Sequence, residues 1–174
     1  MTIWICSLAA APEMAQKLKP SRVVSLLSPY DSFPSFAGLG KDLHLQVAIH
    51  DIAADVGDWQ APAQTDAERV IRFVEGWDKA APLLIHCWAG ISRSTASAFI
   101  TACVLNPRAD EEEIAWAIRD ASPTASPNVR LVAHADALLG RSGRMSRAVE
   151  AIGRGDVSDE ARAFSIPSSY GGDA

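Results

Sequence analysis

Hydrophobic positions follow two periods along the first half of the chain. Residues 2–8 (TIWICSL) form an apolar run of strand length, and 11–19 (APEMAQKLK) has helical spacing through Met14 and Leu18 before stopping near Pro20. A second strand is predicted over 22–28 (RVVSLLS). The stretch 29–42 (PYDSFPSFAGLGKD) is rich in Pro, Gly, Ser and Asp, which predicts a loop. Residues 43–50 (LHLQVAIH) alternate well enough for a third strand, and 51–63 (DIAADVGDWQAPA) is loop again. Thr65 is placed to cap a helix that begins at Asp66 and puts Val70, Phe73, Val74 and Trp77 on one face. The run 82–87 (PLLIHC) is continuously apolar, as central strands are when both faces are covered.

The second half is helical. Residues 93–106 (RSTASAFITACVLN) end before Pro107, and 110–122 (DEEEIAWAIRDAS) open with acids where a helix dipole favours them. A further helix is predicted over 128–141 and a short one over Met145–Ile152, and the end of the chain (SIPSSYGGDA) reads as mobile or loosely packed. Strand–helix alternation followed by helices predicts an α/β fold, a small, largely parallel central sheet flanked by helices. Its main domain is expected over 1–142, with 143–174 as a C-terminal extension rather than a second domain. In such sheets ligands bind at the carboxyl ends of the strands, which is where Cys87 falls.

Composition narrows the class. With 174 residues, 48% of them hydrophobic, the chain has enough material for one sizeable core. A net charge of -5 gives no electrostatic reason to bind nucleic acid or anionic lipid. Cys6, Cys87 and Cys103 are far apart with no CxxC, so neither a disulfide scaffold nor a metal site is expected, and a reducing cytoplasm is. The N-terminal apolar run lacks the basic start of a signal peptide and the length of a membrane span. Abundant Ala and Arg suggest a bacterial source.

The chemistry concentrates in 83–100 (LLIHCWAGISRSTASAFI), where a thiol, a glycine and a guanidinium share one turn between two buried elements. A curled loop leading into a helix N-terminus offers backbone N–H groups to an anion. Arg93 adds a planar fork that holds two oxygens of one phosphoryl group. The same positive surroundings stabilise a nucleophilic thiolate at Cys87.

The segment HCWAGISRS resembles the His-Cys-x2-Gly-x2-Arg-Ser/Thr signature of the cysteine-dependent protein tyrosine phosphatases, especially the small dual-specificity type. The likeness extends from Thr2 to about Leu139 and includes the late turn SPTASPN. It implies a phosphate loop between a central strand and a helix. Cys87 then matches the nucleophile that forms a phosphocysteine, and Arg93 the phosphate-binding arginine. Backbone amides of Trp88, Ala89, Gly90, Ile91, Ser92 and Arg93 match the phosphate cradle. Ser94 matches the hydroxyl that helps the thiolate leave, and His86 a residue that orders the Cys87 region. No metal or other cofactor is implied.

Attack on a phosphate monoester also needs a proton donor for the leaving group. Asp51, Asp55 and Asp58 all lie in the loop where the family keeps its acid. Asp51 follows the third strand directly and is preferred. Asp55 fits the family spacing better, and GDWQAPA reads as a short insertion.

Other residues have plainer readings. His50 is a strand-end histidine, His44 and His134 are surface or packing residues, and Cys103 is core. Cys6 is a packing residue rather than a redox partner for Cys87. Trp88 borders the pocket or packs inward, and Trp59 belongs to a lid or anchors it. Asn128 caps the next helix, a role compatible with supporting the loop.

Other classes share parts of this pattern. Low-molecular-weight phosphatases and arsenate reductases carry Cys-x5-Arg near the N-terminus with the acid downstream, and rhodanese-type sulfurtransferases need neither the upstream Asp nor the Arg-Ser ending. A non-catalytic phosphate-recognition module is the alternative that remains, alongside a phosphatase of small-molecule phosphates. The expected substrate is a phosphorylated protein, phosphotyrosine first, or a similar aryl phosphate monoester, with Tyr30 or Phe33 against the ring. The chain is expected to act as a monomer without nucleic acid or membrane partners.

Overall fold

The structure is a computed structural model and describes residues 1–171. Five strands among these residues form one sheet: β1 (Thr2–Ser7), β2 (Arg22–Leu27), β3 (His44–Ala48), β4 (Leu83–Cys87) and β5 (Phe164–Pro167). Their order is β3-β2-β4-β1-β5. β4 pairs in parallel with both β1 and β2, β2 pairs in parallel with β3, and β5 runs antiparallel along β1. The protein is therefore α/β with a mostly parallel sheet, as the alternation predicts. The apolar run of β4 sits between two strands and is buried at every position.

Helix α1 (Ala11–Leu18) covers one face of the sheet, laying Ala11, Met14 and Leu18 against Cys6, Val23 and Leu84. The other face carries α2 (Gln64–Glu75), α3 (Arg93–Leu105), α4 (Glu111–Ala121), α5 (Val129–Leu138) and α6 (Arg144–Ile152). α3 is central, and every residue from Arg93 to Cys103 is buried. Phe99, Ile100, Ile114, Ile118 and Leu131 are all fully buried in this layer. Each contributes about 1.5–3 kcal/mol of burial relative to exposure, so the layer holds the start of α3 firmly.

A polar staple ties the last three helices together. Arg141 is buried and donates to Glu111 Oε1 at 2.7 Å and to Cys103 O at 2.7 Å, while Arg144 Nε reaches Glu111 from the other side at 3.1 Å. Asp136 accepts from the Gly143 and Ser146 amides at 2.7 and 2.9 Å, capping α6. Each buried charge in this cluster has an opposite charge or an amide beside it, which is the condition for tolerating burial.

Two expectations need correction. Residues 164–167 are not loosely packed. Phe164 and Ile166 are buried in the main core, and Thr2 to Ile5 pair with Phe164 to Pro167. A sequence of Ser, Pro and Gly hid this strand because its order comes from the partner strand. Gly172 to Ala174 of that stretch lie outside the described residues. Second, α2 begins at Gln64, so Thr65 lies inside the first turn instead of capping it. The Asp66 carboxylate accepts from the Ala63 amide at 2.9 Å and does the capping from within the helix.

Candidate active site

β4 delivers Cys87 to the carboxyl end of the sheet, beside Ser7 of β1 and Leu26 of β2. The chain then turns through 88–92 and enters α3 at Arg93. Carbonyls hold this turn from outside. Trp88 O accepts from Leu8 N at 3.1 Å, and Ala89 O accepts from Ala161 N at 2.9 Å. Ile91 O accepts from Ser126 N at 2.9 Å and from the Thr95 hydroxyl at 2.5 Å. Ser92 O accepts from Ala96 N, Asn128 N and the same hydroxyl. A trans peptide points its N–H opposite to its C=O. Four anchored carbonyls therefore direct the amides of Ala89, Gly90, Ser92 and Arg93 towards the inside of the turn.

Gly90 makes this curvature possible. Its φ is +75°, and a Cβ there would lie 2.8 Å from the Cys6 carbonyl carbon and 2.9 Å from Ser7 N. Only a residue without Cβ lets the loop rest on the end of β1. Inward amides, the α3 N-terminus and a guanidinium together make a concentrated positive site.

Arg93 is 4% exposed, and its Nη1 donates to Ile49 O at 2.9 Å. Its Nε has no hydrogen-bond partner and lies 3.6 Å from Asp51 Oδ2. Ser94 Oγ is 3.1 Å from Cys87 Sγ. Asp51 Oδ1 accepts from Ser92 Oγ at 2.6 Å and from Asn128 Nδ2 at 3.0 Å. Asn128 also caps α5, its Oδ1 accepting from the Arg130 and Leu131 amides at 3.1 Å each. One asparagine thus links the acid's loop to the helical layer.

The three candidate acids separate cleanly. Asp51, Arg93, Trp88, Ala89, Ser28 and Asp31 line one shallow depression of about 320 Å³. Asp55 accepts from Ala61 N at 2.7 Å and closes its own loop, where Val56 and Trp59 pair as a small bridge. Asp58 is exposed on that same loop. Trp88 is 59% exposed and faces the depression rather than the core. Trp59 stacks on His50 with centroids 5.1 Å apart, and Tyr30 meets the other side of His50 at 5.8 Å. Phe33 lies elsewhere, lining a groove with His44 and Arg69. Ser28 and Asp31 take the place expected of it. They follow β2, the strand next to β4, and that adjacency was the missed signal.

His86, which the resemblance makes an ordering residue for Cys87, points to the opposite face of the sheet, towards Ser25 and His44. Ser25 Oγ lies 2.6 Å from His86 Nε2 and 2.7 Å from His44 Nε2. One hydroxyl proton can serve only one of these two nitrogens, so the rings must be opposite tautomers. The Gln46 amide nitrogen lies 3.4 Å from His44 Nδ1 and donates to it. Ser25 thus bridges the two rings, donating to one and accepting from the other, while the buried His86 Nδ1 has no partner of its own. His44 is therefore more than a packing residue.

Burial, and after it the neighbouring His44, hold His86 down to about 4. The unfolded chain takes up this proton near pH 6.5 while the folded protein refuses it. Stability is therefore fully present above about pH 6.5 and declines by roughly 3 kcal/mol as pH falls towards 4. Urea titrations across that window should show this slope in the wild type and a flatter one in His86→Gln.

The remaining cysteines stand apart from the site. Ser7 is the register partner of Cys87, so Cys6, one residue earlier, projects from the other face of the sheet. Burial pushes both the Cys6 and the Cys103 thiols up to about 12. His134 donates to Pro62 O at 3.1 Å and pins the start of α2 to α5.

No protein-family model and no curated protein matches the chain by sequence. Solved structures do match by fold. DUSP15 superposes with a TM-score of 0.62 at 18% identity, over 84% of this chain and 89% of that one. Human DUSP28 gives 0.60 at 18% identity, over 80% and 94%. The PTP-2 phosphatase of Cydia pomonella gives 0.56 at 20% identity, over 76% and 83%. With its mostly parallel sheet and a Cys-x5-Arg turn at the carboxyl end of the central strand, the chain has the fold of the cysteine-dependent tyrosine phosphatases, of the small dual-specificity kind.

Proposed function

We propose that this protein is a metal-independent phosphatase that hydrolyses phosphate monoesters through a phosphocysteine on Cys87. The observation that carries the proposal is the outward anchoring of four loop carbonyls beside a buried arginine, which turns their amides inward at the end of the strand that carries Cys87. Such a site stabilises the equatorial oxygens of a transferring phosphoryl group with donors already in place.

The Cys87 thiolate attacks phosphorus as the bond to the leaving oxygen breaks, and the Asp51 carboxyl gives that oxygen its proton. Asp51 then takes a proton from water, whose oxygen attacks the phosphocysteine. The S–P bond breaks, inorganic phosphate leaves, and the Ser94 hydroxyl donates to the departing sulfur. Ser92 and Asn128 hold Asp51 beside Arg93 in the meantime.

The substrate is a singly phosphorylated group on an aryl carrier, phosphotyrosine or a compact equivalent. Arg93 is the one cation among the residues lining the depression, where Asp31 and Asp51 supply two carboxylates. Polyphosphorylated ligands would meet repulsion there. Exposed Trp88, with the Tyr30–His50–Trp59 cluster close by, favours an aromatic leaving group. The decisive test is the intermediate. An acid quench during turnover of p-nitrophenyl phosphate in EDTA should leave phosphate on Cys87. Ser94→Ala should raise the trapped fraction, because its second step is slowed by about 10-fold or more. A quench that finds no phosphoryl-cysteine in an active enzyme rejects the mechanism.

A further inference from the structure

Residues 153–161 follow the last helix and look like a tether to β5, yet their hydrogen bonds lead to the phosphate loop. Arg119 grips the start of the segment. Its Nη1 donates to Ile152 O at 2.8 Å and Arg154 O at 3.3 Å, and its Nη2 donates to Gly153 O at 2.9 Å. That Nη2 also reaches Ala125 O at 2.7 Å, one residue before Ser126, whose amide holds Ile91 O. Asp156 N then donates to Pro123 O at 2.9 Å. Gly155 presses against the Thr124 backbone so closely that a Cβ would lie 2.5 Å from its carbonyl carbon.

At the far end, Glu160 accepts from the Ser7 hydroxyl, and the next residue, Ala161, donates its amide to Ala89 O at 2.9 Å. Ser7 is the residue on whose backbone Gly90 rests. β5 begins three residues later and fixes the segment along β1. The segment therefore touches the loop at Ala89 and its supports at Ser7 and the 123–126 turn.

We infer that the segment Gly153–Ala161 is a positioning element of the phosphate site, with the Ala161 amide orienting the Ala89–Gly90 peptide so that Gly90 N–H faces the bound oxyanion. This rests on the phosphate-binding reading of the loop, and it moves the C-terminal extension into the functional unit that the sequence bounded at residue 142. The other anchored carbonyls take their donors from β1's end, α3 and the 126–128 turn. Among these anchors, Ala89 O is the one whose donor comes from this segment. Without it the 89–90 peptide is free to rotate, and one inward donor is lost from the cradle.

The test is an amide-to-ester replacement at Ala161, which deletes the N–H and leaves the side chain in place, together with Arg119→Ala. Vanadate and inorganic phosphate affinities are measured by calorimetry, with kcat, KM and Tm for an aryl phosphate. Losing the orienting bond should weaken vanadate about 3- to 10-fold in the ester, the range expected for one neutral hydrogen bond. kcat/KM should fall by the same factor, and Arg119→Ala should move in the same direction. A lower Tm with vanadate affinity within about 2-fold of wild type in both proteins overturns the inference. Should the ester fail to fold, Glu160→Ala decides on the same readout, because it releases the segment's far end from Ser7 without touching the 125–126 turn. A wild type that binds vanadate but does not turn over removes the catalytic reading while the affinity comparison still decides this one. A wild type that binds neither oxyanion removes both.

Discussion

Cys87→Ser should abolish hydrolysis of p-nitrophenyl phosphate, by about 10⁴-fold or more, while leaving oxyanion binding in place. The two halves of this expectation come from separate parts of the site. Bond formation to phosphorus requires the sulfur, and a serine hydroxyl at the same position would meet the Ser94 hydroxyl, which is not a base that could activate it. Binding, in contrast, depends on amides and a guanidinium whose positions are set by Leu8, Ala161, Ser126, Thr95 and Ile49. None of these anchoring hydrogen bonds involves the Cys87 side chain. The variant should therefore hold phosphate without turning it over, which calorimetry and a turnover assay measure separately. Cys103→Ala, deep in α3, should retain activity. Residual turnover in Cys87→Ser close to wild type would remove the cysteine mechanism altogether.

Asp51→Asn should lower kcat by about 10² to 10⁴-fold, with the larger losses for poorer leaving groups. A nitrophenolate departs with little help, whereas an alkoxide needs its proton in the transition state. A series of aryl and alkyl phosphates should thus show a steeper dependence on leaving-group basicity in the variant. The asparagine keeps an oxygen for the Ser92 hydroxyl and the Asn128 amide, so vanadate affinity should change little. Asp55→Asn serves as the discriminating comparison. Its carboxylate is occupied by the Ala61 amide, and its loss should loosen the 55–61 loop without changing the leaving-group dependence. The reverse pattern would transfer the acid's role to Asp55.

These two substitutions also separate what a linear reading reaches from what it does not. The strand, turn and helix around Cys87 were legible because each depends on neighbours in sequence. An apolar run makes β4, a glycine makes the sharp turn, and small residues make a helix that can be buried on all sides. Asp51's place near the sheet's carboxyl edge was legible in part: β3 ends at Ala48, and Asp51 comes three residues later, within reach of Arg93. The network behind His86 was not. Ser25, His44 and His86 are unremarkable polar residues in three different strands, and only the register of Ser25 with His86 makes one hydroxyl serve two rings.

The C-terminal strand shows the same division. Residues 164–167 have no strong pattern of their own, and their order comes from the free edge of β1 and the apolar layer beneath it. Asp31 and Ala161 belong to this class as well: one is a turn acid and the other an unremarkable alanine whose backbone amide does the work. What the amino-acid order determined by itself was the α/β class, the central strand and the Cys87–Arg93 turn, because short-range periodicity and backbone sterics decide those locally. What only the tertiary structure decided was which distant donors turn the loop's carbonyls outward and which strand edge the chain end completes. Those are pairings between groups far apart in sequence, and a hydrogen bond's partner is chosen by proximity in space.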